Sequence, residues 1–261
     1  MSSVEGDPAE SFGEVERRSR RAQRVVALVY LGIPLVFLGL VLWIGSSADT
    51  FNWQIGLVPL ALLVIGWFLR QRHRYKPGRW ATAGMWMGGI TGFFTALATI
   101  VLDANWLATL SLPAAIVGAI LGVALGRYGQ RTLMHPAVPE LAESPYELTF
   151  RVRGLTRLRL VIRRTDLVLV ERVPIRTAEG DSPAEKARTY PLASVTGTYE
   201  VSLSGAERLR FPEPLRLAPA GTPGPALILQ AKGADWVLPQ NEAAAIAQIL
   251  DRRIATARSD G

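Results

Sequence analysis

The chain has 261 residues, a formal net charge of +7 and a hydrophobic content of 49%. Charge is unevenly spread, because residues 1–131 hold 12 Lys or Arg and 7 Asp or Glu, whereas residues 132–261 hold 17 and 15. Between residues 25 and 126 only seven charged side chains occur, all in short gaps between apolar runs. This pattern excludes a soluble single-domain protein and disorder over most of the chain.

The composition also excludes several kinds of site. The chain has no cysteine and only two histidines, His73 and His135. Disulfides, zinc–thiolate sites, iron–sulfur clusters and a three-histidine metal site within one chain are therefore excluded, and we predict neither a metal nor another cofactor. Arginine outnumbers lysine 26 to 3, and alanine, glycine and proline are frequent, which is typical of a GC-rich bacterial genome.

Four apolar segments are long enough, or nearly so, to cross about 30 Å of hydrocarbon. We predict a four-helix transmembrane unit over residues 25–131, preceded by a cytoplasmic tail (1–24). Its first 16 residues are expected to be loose, and Glu14–Arg18 and Glu16–Arg20 are spaced to pair on a helix that leads into the membrane. The first segment has 21 uncharged residues, too many for the apolar core of a signal peptide, so an uncleaved span is favoured over a cleaved signal. The predicted spans are 25–45, 53–69, 80–102 and 106–126.

The basic residues predict the orientation of these spans. All twelve lie before the first span, between the second and third, or after the fourth. The other two connections, 46–52 and 103–105, contain no Lys or Arg. Because basic loops stay in the cytoplasm, both termini are predicted to be cytoplasmic, in a bacterial inner membrane.

The second and fourth spans begin alike. Asp49–Trp53 is followed by Pro59, and Asp103–Trp106 by Pro113, which indicates two helical hairpins in the same orientation, a parallel repeat. Chance similarity is the alternative. In either case each Asp–Asn pair is expected to cap a helix.

Glycines recur at every fourth position in the third and fourth spans. Such series form smooth grooves that permit close helix approach. We expect them to join these two helices within one chain, with homo-oligomerisation through one groove as the alternative, and Thr91, Thr95 and Thr99 to add interhelical hydrogen bonds. The glycines are Gly84, Gly88, Gly92, Gly118, Gly122 and Gly126.

The second half alternates apolar and polar residues, as half-buried strands do. After a linker (132–145), we predict a mainly-β domain over residues 146–257 with about seven short strands and one strongly bent sheet plugged by a C-terminal helix. Residues 176–188 are predicted to form a mobile loop, 226–231 and 235–238 a hairpin, and Asn241–Ala257 the helix, with Asn241 as its N-cap. The expected core includes Phe150, Ile162, Leu229 and Ile249.

The order of Arg164–Leu169, Tyr190–Gly197, Leu227–Leu229, Trp236–Pro239 and the final helix resembles bacterial pleckstrin-homology-like (PH-like) domains. It is similar in particular to those attached to multi-pass bacterial membrane proteins of uncharacterised function. The resemblance covers about residues 146–256, and the Pro/Gly-rich stretch 212–225 departs from the compact pattern. It implies a barrel-like scaffold that binds lipid, membrane or protein rather than an enzyme.

A series of arginines is the candidate binding site of this half. Strand alternation aims several at one face, where each near an anionic leaflet contributes about 1 kcal/mol. The alternative is a solvated face balanced by the domain's acidic residues. The candidates are Arg151, Arg153, Arg157, Arg159, Arg163 and Arg164.

Two classes of function follow. The first is a non-enzymatic integral membrane scaffold whose β domain binds anionic lipid or an unidentified protein partner. The second is a transporter or channel component with a regulatory β domain. No span carries a charged residue, and ion pathways usually need one, so the first is favoured. No catalytic residue is predicted, and nucleic acid is not an expected partner, because the domain is only weakly basic and aromatic residues are not interleaved with its arginines.

Overall fold

The chain forms two compact units, a helical unit (residues 1–134) and a β unit (residues 135–261). The computed structural model describes residues 8–46, 57–98, 109–155, 158–177, 180–204, 223–231 and 234–259. The first unit is helical, and the second contains two antiparallel sheets and a C-terminal helix. The predicted Asp–Asn caps, Arg157 and Thr99 lie outside the described residues.

Each predicted span contains a helix in the structure. The helices of the first unit are α1 (Pro8–Ala27), α2 (Ile33–Ser46), α3 (Leu57–His73), α4 (Trp80–Ala98) and α5 (Ser111–Met134). Two helical segments, Gly13–Trp43 and Ser111–Met134, are long and apolar enough to cross a membrane. Over their described residues α3 and α4 do not meet both conditions, so the four-span arrangement stays a prediction.

The N-terminal tail is more ordered than its composition indicated. Helix α1 begins at Pro8, and Arg18 and Arg20 form the expected ion pairs with Glu14 and Glu16. The two pairs are thereby confirmed, whereas the loose structure expected for the first 16 residues is wrong from Pro8 onward. Four-residue spacing of opposite charges supports a helix that polar composition alone does not reveal.

One π-helical turn, Leu28–Gly32, joins α1 to α2. Pro34 follows it and has no N–H to donate to the carbonyl of Tyr30, four residues earlier. Helix α3 approaches that carbonyl so closely that a Cβ on Gly66 would lie 2.0 Å from the Tyr30 oxygen. The irregular turn therefore coincides with a close backbone contact with α3.

The second unit contains a four-stranded and a three-stranded antiparallel sheet. The first sheet comprises β1 (Leu148–Arg151), β2 (Leu158–Ile162), β3 (Asp166–Thr177) and β4 (Gly180–Pro191). The second comprises β5 (Val195–Leu203), β6 (Gly224–Ala231) and β7 (Ala234–Pro239), and α6 (Ala243–Ser259) follows. The predicted hairpin of 226–231 with 235–238 is confirmed as β6–β7.

A single bent sheet was expected, and the structure has two. Over the described residues the sheets do not close into a barrel. A short 3₁₀ turn, Leu192–Ser194, separates β4 from β5 where one sheet would have continued. At the other side the Arg153 N–H donates to the Pro239 carbonyl over 2.8 Å, and Pro239 has no N–H with which to extend the pairing.

The mobile loop predicted at residues 176–188 is wrong. The described residues of this range, 176–177 and 180–188, belong to a long hairpin in which β3 and β4 pair from Asp166 and Pro191 to Thr177 and Gly180. Strand pairing is satisfied by backbone hydrogen bonds, and an edge strand tolerates polar side chains. The polar composition of these residues therefore did not indicate that they form strand β4.

The core of the second unit lies between the sheets and α6. The four predicted core residues, Phe150, Ile162, Leu229 and Ile249, are all buried, which confirms that prediction. Helix α6 begins at Ala243, however, so Asn241 is not its N-cap. The Asn241 side-chain oxygen instead accepts a hydrogen bond from Arg153.

The segment 132–145 is not a simple linker. Its first residues complete α5, and Pro139–Glu143 forms a 3₁₀ turn that packs against α6. Leu141 is fully buried and Ala142 nearly so. The β unit therefore begins near His135, about ten residues before the predicted boundary.

This boundary leads to the first prediction. A fragment of residues 135–261 should fold as a stable β-rich monomer, whereas residues 145–261 should be less stable by about 3 kcal/mol. The shorter fragment lacks buried Leu141 and also three carbonyls that accept hydrogen bonds from Arg253. Urea unfolding followed by circular dichroism measures the difference. Equal midpoints for the two fragments would contradict the boundary.

Candidate functional site

The candidate arginines do not form one uninterrupted face. Arg151 and Arg159 lie directly opposite each other on β1 and β2, and so point to the same side of the sheet. Arg153, Arg163 and Arg164 lie in turns outside the strands. Arg151 and Arg164 are exposed and form no ion pair with any carboxylate among the described residues.

Two members of the set are engaged by carboxylates. Arg159 donates to Glu185 over 2.6 Å, and Arg172 of β3 lies 3.3 Å from the same carboxylate oxygen. Burial alone would raise the pKa of Glu185, but hydrogen bonds and charge from Arg172 and Arg159 outweigh it and hold that pKa below its ordinary value. Arg163 lies 3.4 Å from Glu147. Carboxylates this close weaken attraction to an anionic surface, although Arg159 and Arg172 share one carboxylate and together with it keep a net charge of +1.

Arg153 serves the packing of the unit. Its guanidinium lies against Gly224, where a Cβ would come within 2.6 Å of the nearest nitrogen. Gly224 has φ +119°, a backbone conformation that L side chains rarely adopt, so its backbone requires glycine, whereas the end of the flexible Arg153 side chain can move away from a Cβ. With its bond to Asn241, Arg153 ties the end of β1 to the ends of β6 and β7.

Both glycine series lie at the contact between α4 and α5. A Cβ on Gly88 would lie 2.0 Å from the carbonyl oxygen of Gly118, and one on Gly122 would lie 1.9 Å from that of Gly84. Partner numbers fall along α5 as they rise along α4, so the helices are antiparallel. The facing pairs are Gly84 with Gly122, Gly88 with Gly118, Gly92 with Ala114, and Gly126 with Ala81.

At such distances the glycine Cα–H groups point at backbone carbonyls, a contact that only glycine permits. The same faces are thereby occupied within one chain. Homo-oligomerisation through them would require α4 and α5 to separate, and it stays a prediction.

The threonines of α4 behave differently from the prediction. Thr95 donates to the carbonyl of Thr91 within its own helix rather than across to another helix. The hydroxyl of Thr91 is buried and has no hydrogen-bond partner among the described residues. Helical threonines commonly bond back to the preceding turn, and this bond competes with interhelical ones.

Arg253 is a structural residue that the sequence analysis missed. It is 3% exposed and lies among the buried isoleucines and leucines of α6. Its guanidinium donates to five main-chain carbonyls, at 2.9 to 3.3 Å. These carbonyls belong to Leu141, Ala142, Ser144, Tyr146 and Ile162.

Burial, and to a lesser extent the charge of Arg164, lower the pKa of Arg253 to about 10, so it stays protonated at neutral pH. The described residues hold no carboxylate that pairs with this charge, and the carbonyl dipoles alone solvate it. One signal was present in the sequence, because Arg253 falls four residues after Ile249 and seven after Ile246, on the apolar stripe.

A second missed cluster lies at one end of the helical unit. The buried Tyr30 hydroxyl is 3.3 Å from Nδ1 of His73, and the indole N–H of Trp80 donates to the His73 carbonyl over 2.9 Å. His73 follows the predicted second span. Burial, then the charges of Arg79, Lys76 and Arg72, lower the pKa of His73. The histidine therefore lies in a positive field.

The described residues contain no group of three or more His, Cys, Asp or Glu side chains placed to hold a metal ion. His135, which the predicted boundary left outside the domain, belongs to the β unit, where its Nδ1 lies 3.4 Å from Glu242. Glu242 also accepts from the Ala137 N–H, so the pair fastens the start of the unit to the start of α6.

Comparison with protein-family models and with curated protein sequences gives no match to this chain. Its function has to be argued from its own residues.

Proposed function

We propose that this chain is a non-enzymatic integral membrane scaffold. Its five helical segments, with α1 and α2 forming one continuous helix, would supply four spans. The β unit would lie in the cytoplasm as a PH-like module that binds anionic lipid or a protein partner.

The distribution of exposed apolar side chains carries this proposal. Among the described residues, every exposed large hydrophobic side chain except Tyr199 belongs to the helical unit. Exposure this extensive would aggregate a soluble protein, but it suits a surface solvated by lipid. It extends to α3, through Trp67 and Phe68, and to α4, through Trp86 and Phe93, which supports their membrane insertion.

The interior of the helical unit fits the same proposal. Phe37, Val41, Leu62 and Met87, from α2, α3 and α4, form one buried cluster, so α3 packs among the other helices. Close glycine contacts join α4 to α5. Membrane helices associate by such packing because lipid provides no hydrophobic driving force between them.

The secondary-structure elements of the β unit support an interaction role more than its charge does. Its seven described strands and C-terminal helix match the element count that the PH-like resemblance implies. Of the candidate arginines, Arg151 and Arg164 are exposed and available to a partner, and elsewhere in the unit Lys186, Arg188 and Arg252 are also exposed. Arg159 and Arg163 are already paired, so a protein partner is as compatible with this surface as a lipid is.

Single cysteines test the topology directly, because the chain has no native cysteine. We expect Ser46→Cys and Ala104→Cys, in the predicted connections 46–52 and 103–105, to react with a membrane-impermeant maleimide in intact spheroplasts. Gly78→Cys and Ser259→Cys should react only after permeabilisation.

Gly78 separates the two topologies. If only Gly13–Trp43 and Ser111–Met134 crossed the membrane, Gly78 would lie outside and would be labelled in intact spheroplasts, which would overturn the four-span proposal. Ion release from proteoliposomes containing the purified chain would instead support a transport or channel component.

A further inference from the structure

The three basic segments of the helical unit converge at one end. The Gln23 side chain donates to the Arg74 carbonyl over 3.0 Å, which joins α1 to the loop after α3. A Cβ on Gly129 would lie 3.5 Å from Val25 and 3.6 Å from the ring of Trp80. Trp80 is fully buried, and the basic ends of α1, α3 and α5 meet around its side chain.

Ten cations at this end are not neutralised. Among the described residues of the unit, only Arg18 and Arg20 form ion pairs with carboxylates. We call the remaining ten the cationic collar; eight are exposed, and Arg70 and Lys76 are half-buried. The collar comprises Arg17, Arg21, Arg24, Arg70, Arg72, Arg74, Lys76, Arg79, Arg127 and Arg131.

The collar borders the exposed apolar surface directly. Arg70 follows Phe68 by two residues, Arg127 precedes Tyr128, and Arg24 lies about one helical turn before Leu28. Phe68 is 56% exposed, Tyr128 61% and Leu28 52%. A ligand that covers both surfaces must have an anionic head and an apolar body, as a phospholipid does and a nucleic acid or free phosphate does not.

We propose that the cationic collar of the helical unit, rather than the arginines of the β unit, is the main binding surface for anionic phospholipid headgroups. This inference rests on the proposed membrane insertion. The contrast between the units supports it. Arg159 and Arg163 of the β unit are paired with Glu185 and Glu147, whereas the collar has no such partners among the described residues. The β unit also has exposed cations without an ion pair, such as Arg151 and Arg188, but among its described residues only Tyr199 is an exposed large hydrophobic side chain, so these cations lack the apolar border that the collar has. Lipid phosphates are the anions that a membrane supplies at this level.

The test uses the full-length chain in a neutral detergent, with phosphatidylglycerol and phosphatidylcholine added as competing probes. Native mass spectrometry counts the lipids retained. We expect a preference for phosphatidylglycerol that falls with salt. The triple variant Arg72→Gln, Lys76→Gln and Arg79→Gln should lower that preference by about fivefold for each cation removed.

The matched control is the triple variant Arg151→Gln, Arg164→Gln and Arg188→Gln, which removes three exposed cations of the β unit, as many as each collar variant removes, and should leave the preference nearly unchanged. A second collar variant, Arg17→Gln, Arg21→Gln and Arg24→Gln, should act like the first and guards against a local folding defect at the α3–α4 loop. Loss of the preference in the β-unit variant alone, or equal retention of both lipids by the unaltered chain, would overturn the inference.

Failure of this inference and failure of the proposed topology are distinguishable. If Gly78→Cys is protected in spheroplasts and no lipid preference exists, four spans stand and the collar proposal is wrong. If Gly78→Cys is labelled in intact spheroplasts, the topology is wrong whatever lipids the chain retains.

Discussion

Replacing Gly88 or Gly122 with leucine is expected to lower the stability of the helical unit by about 3 kcal/mol or more. A Cβ at either position would lie about as far from a backbone carbonyl oxygen as a hydrogen atom normally does, at 2.0 and 1.9 Å. Backbone atoms cannot turn aside as a flexible side chain can, so α4 and α5 must separate. Thermal melting of the full chain in detergent measures the loss.

Gly39 provides the matched control. It also lies in a helix, α2, but it is exposed, and nothing lies within 4 Å of the position its Cβ would take. Gly39→Leu should therefore change the stability by no more than about 1 kcal/mol. Equal effects at Gly39, Gly88 and Gly122 would show that the glycine series is not a contact surface.

Arg253→Met is expected to destabilise the β unit by about 3–5 kcal/mol. Methionine fills much of the same volume but leaves the carbonyls that Arg253 binds without a donor in a buried place. The change should also loosen the 3₁₀ turn at Pro139–Glu143, because Leu141 and Ala142 are held through those carbonyls. The stability of Arg253→Lys should lie between that of the unaltered β unit and that of Arg253→Met, since an ammonium has three donors and lacks the planar fork of a guanidinium.

Fluorescence in a urea titration of residues 135–261 measures this effect. Trp236 is the only tryptophan in that fragment and is buried, so its emission reports unfolding of the core. Arg252→Met is the control, because Arg252 is the exposed neighbour on the same helix, and it should cost no more than about 0.5 kcal/mol. If Arg253→Met changed the free energy of unfolding only slightly, the prediction would be wrong, and water would have replaced the guanidinium as the donor to these carbonyls.

The location of the helices and the core strands followed from local patterns. Apolar runs predicted where α2 to α5 lie, and alternation in β1 and β2 predicted buried Phe150 and Ile162. The recurrence of glycine at every fourth position, from Gly84 to Gly126, predicted the contact between α4 and α5 without showing which residues face each other. These features depend on the residues of one element and the period of its backbone, which the sequence displays directly.

Other features depend on contacts between distant parts of the chain. The polar strand β4 exists because β3 pairs with it, and Arg159 is neutralised by Glu185, 26 positions away. Neither partner can be inferred from spacing, because strand register and side-chain pairing are set by the whole sheet.

The sequence by itself determined that this protein has an apolar helical half flanked by basic residues and an alternating half that forms strands, since hydrophobic periodicity and charge are local properties. Only the tertiary structure decided which cations are free. It buried Arg253 among carbonyls 91 to 112 residues away, paired Arg159 and Arg163 with carboxylates, and placed no carboxylate of the described residues against the cations of the collar. A charge acts according to what lies within a few ångströms of it, and folding supplies those neighbours.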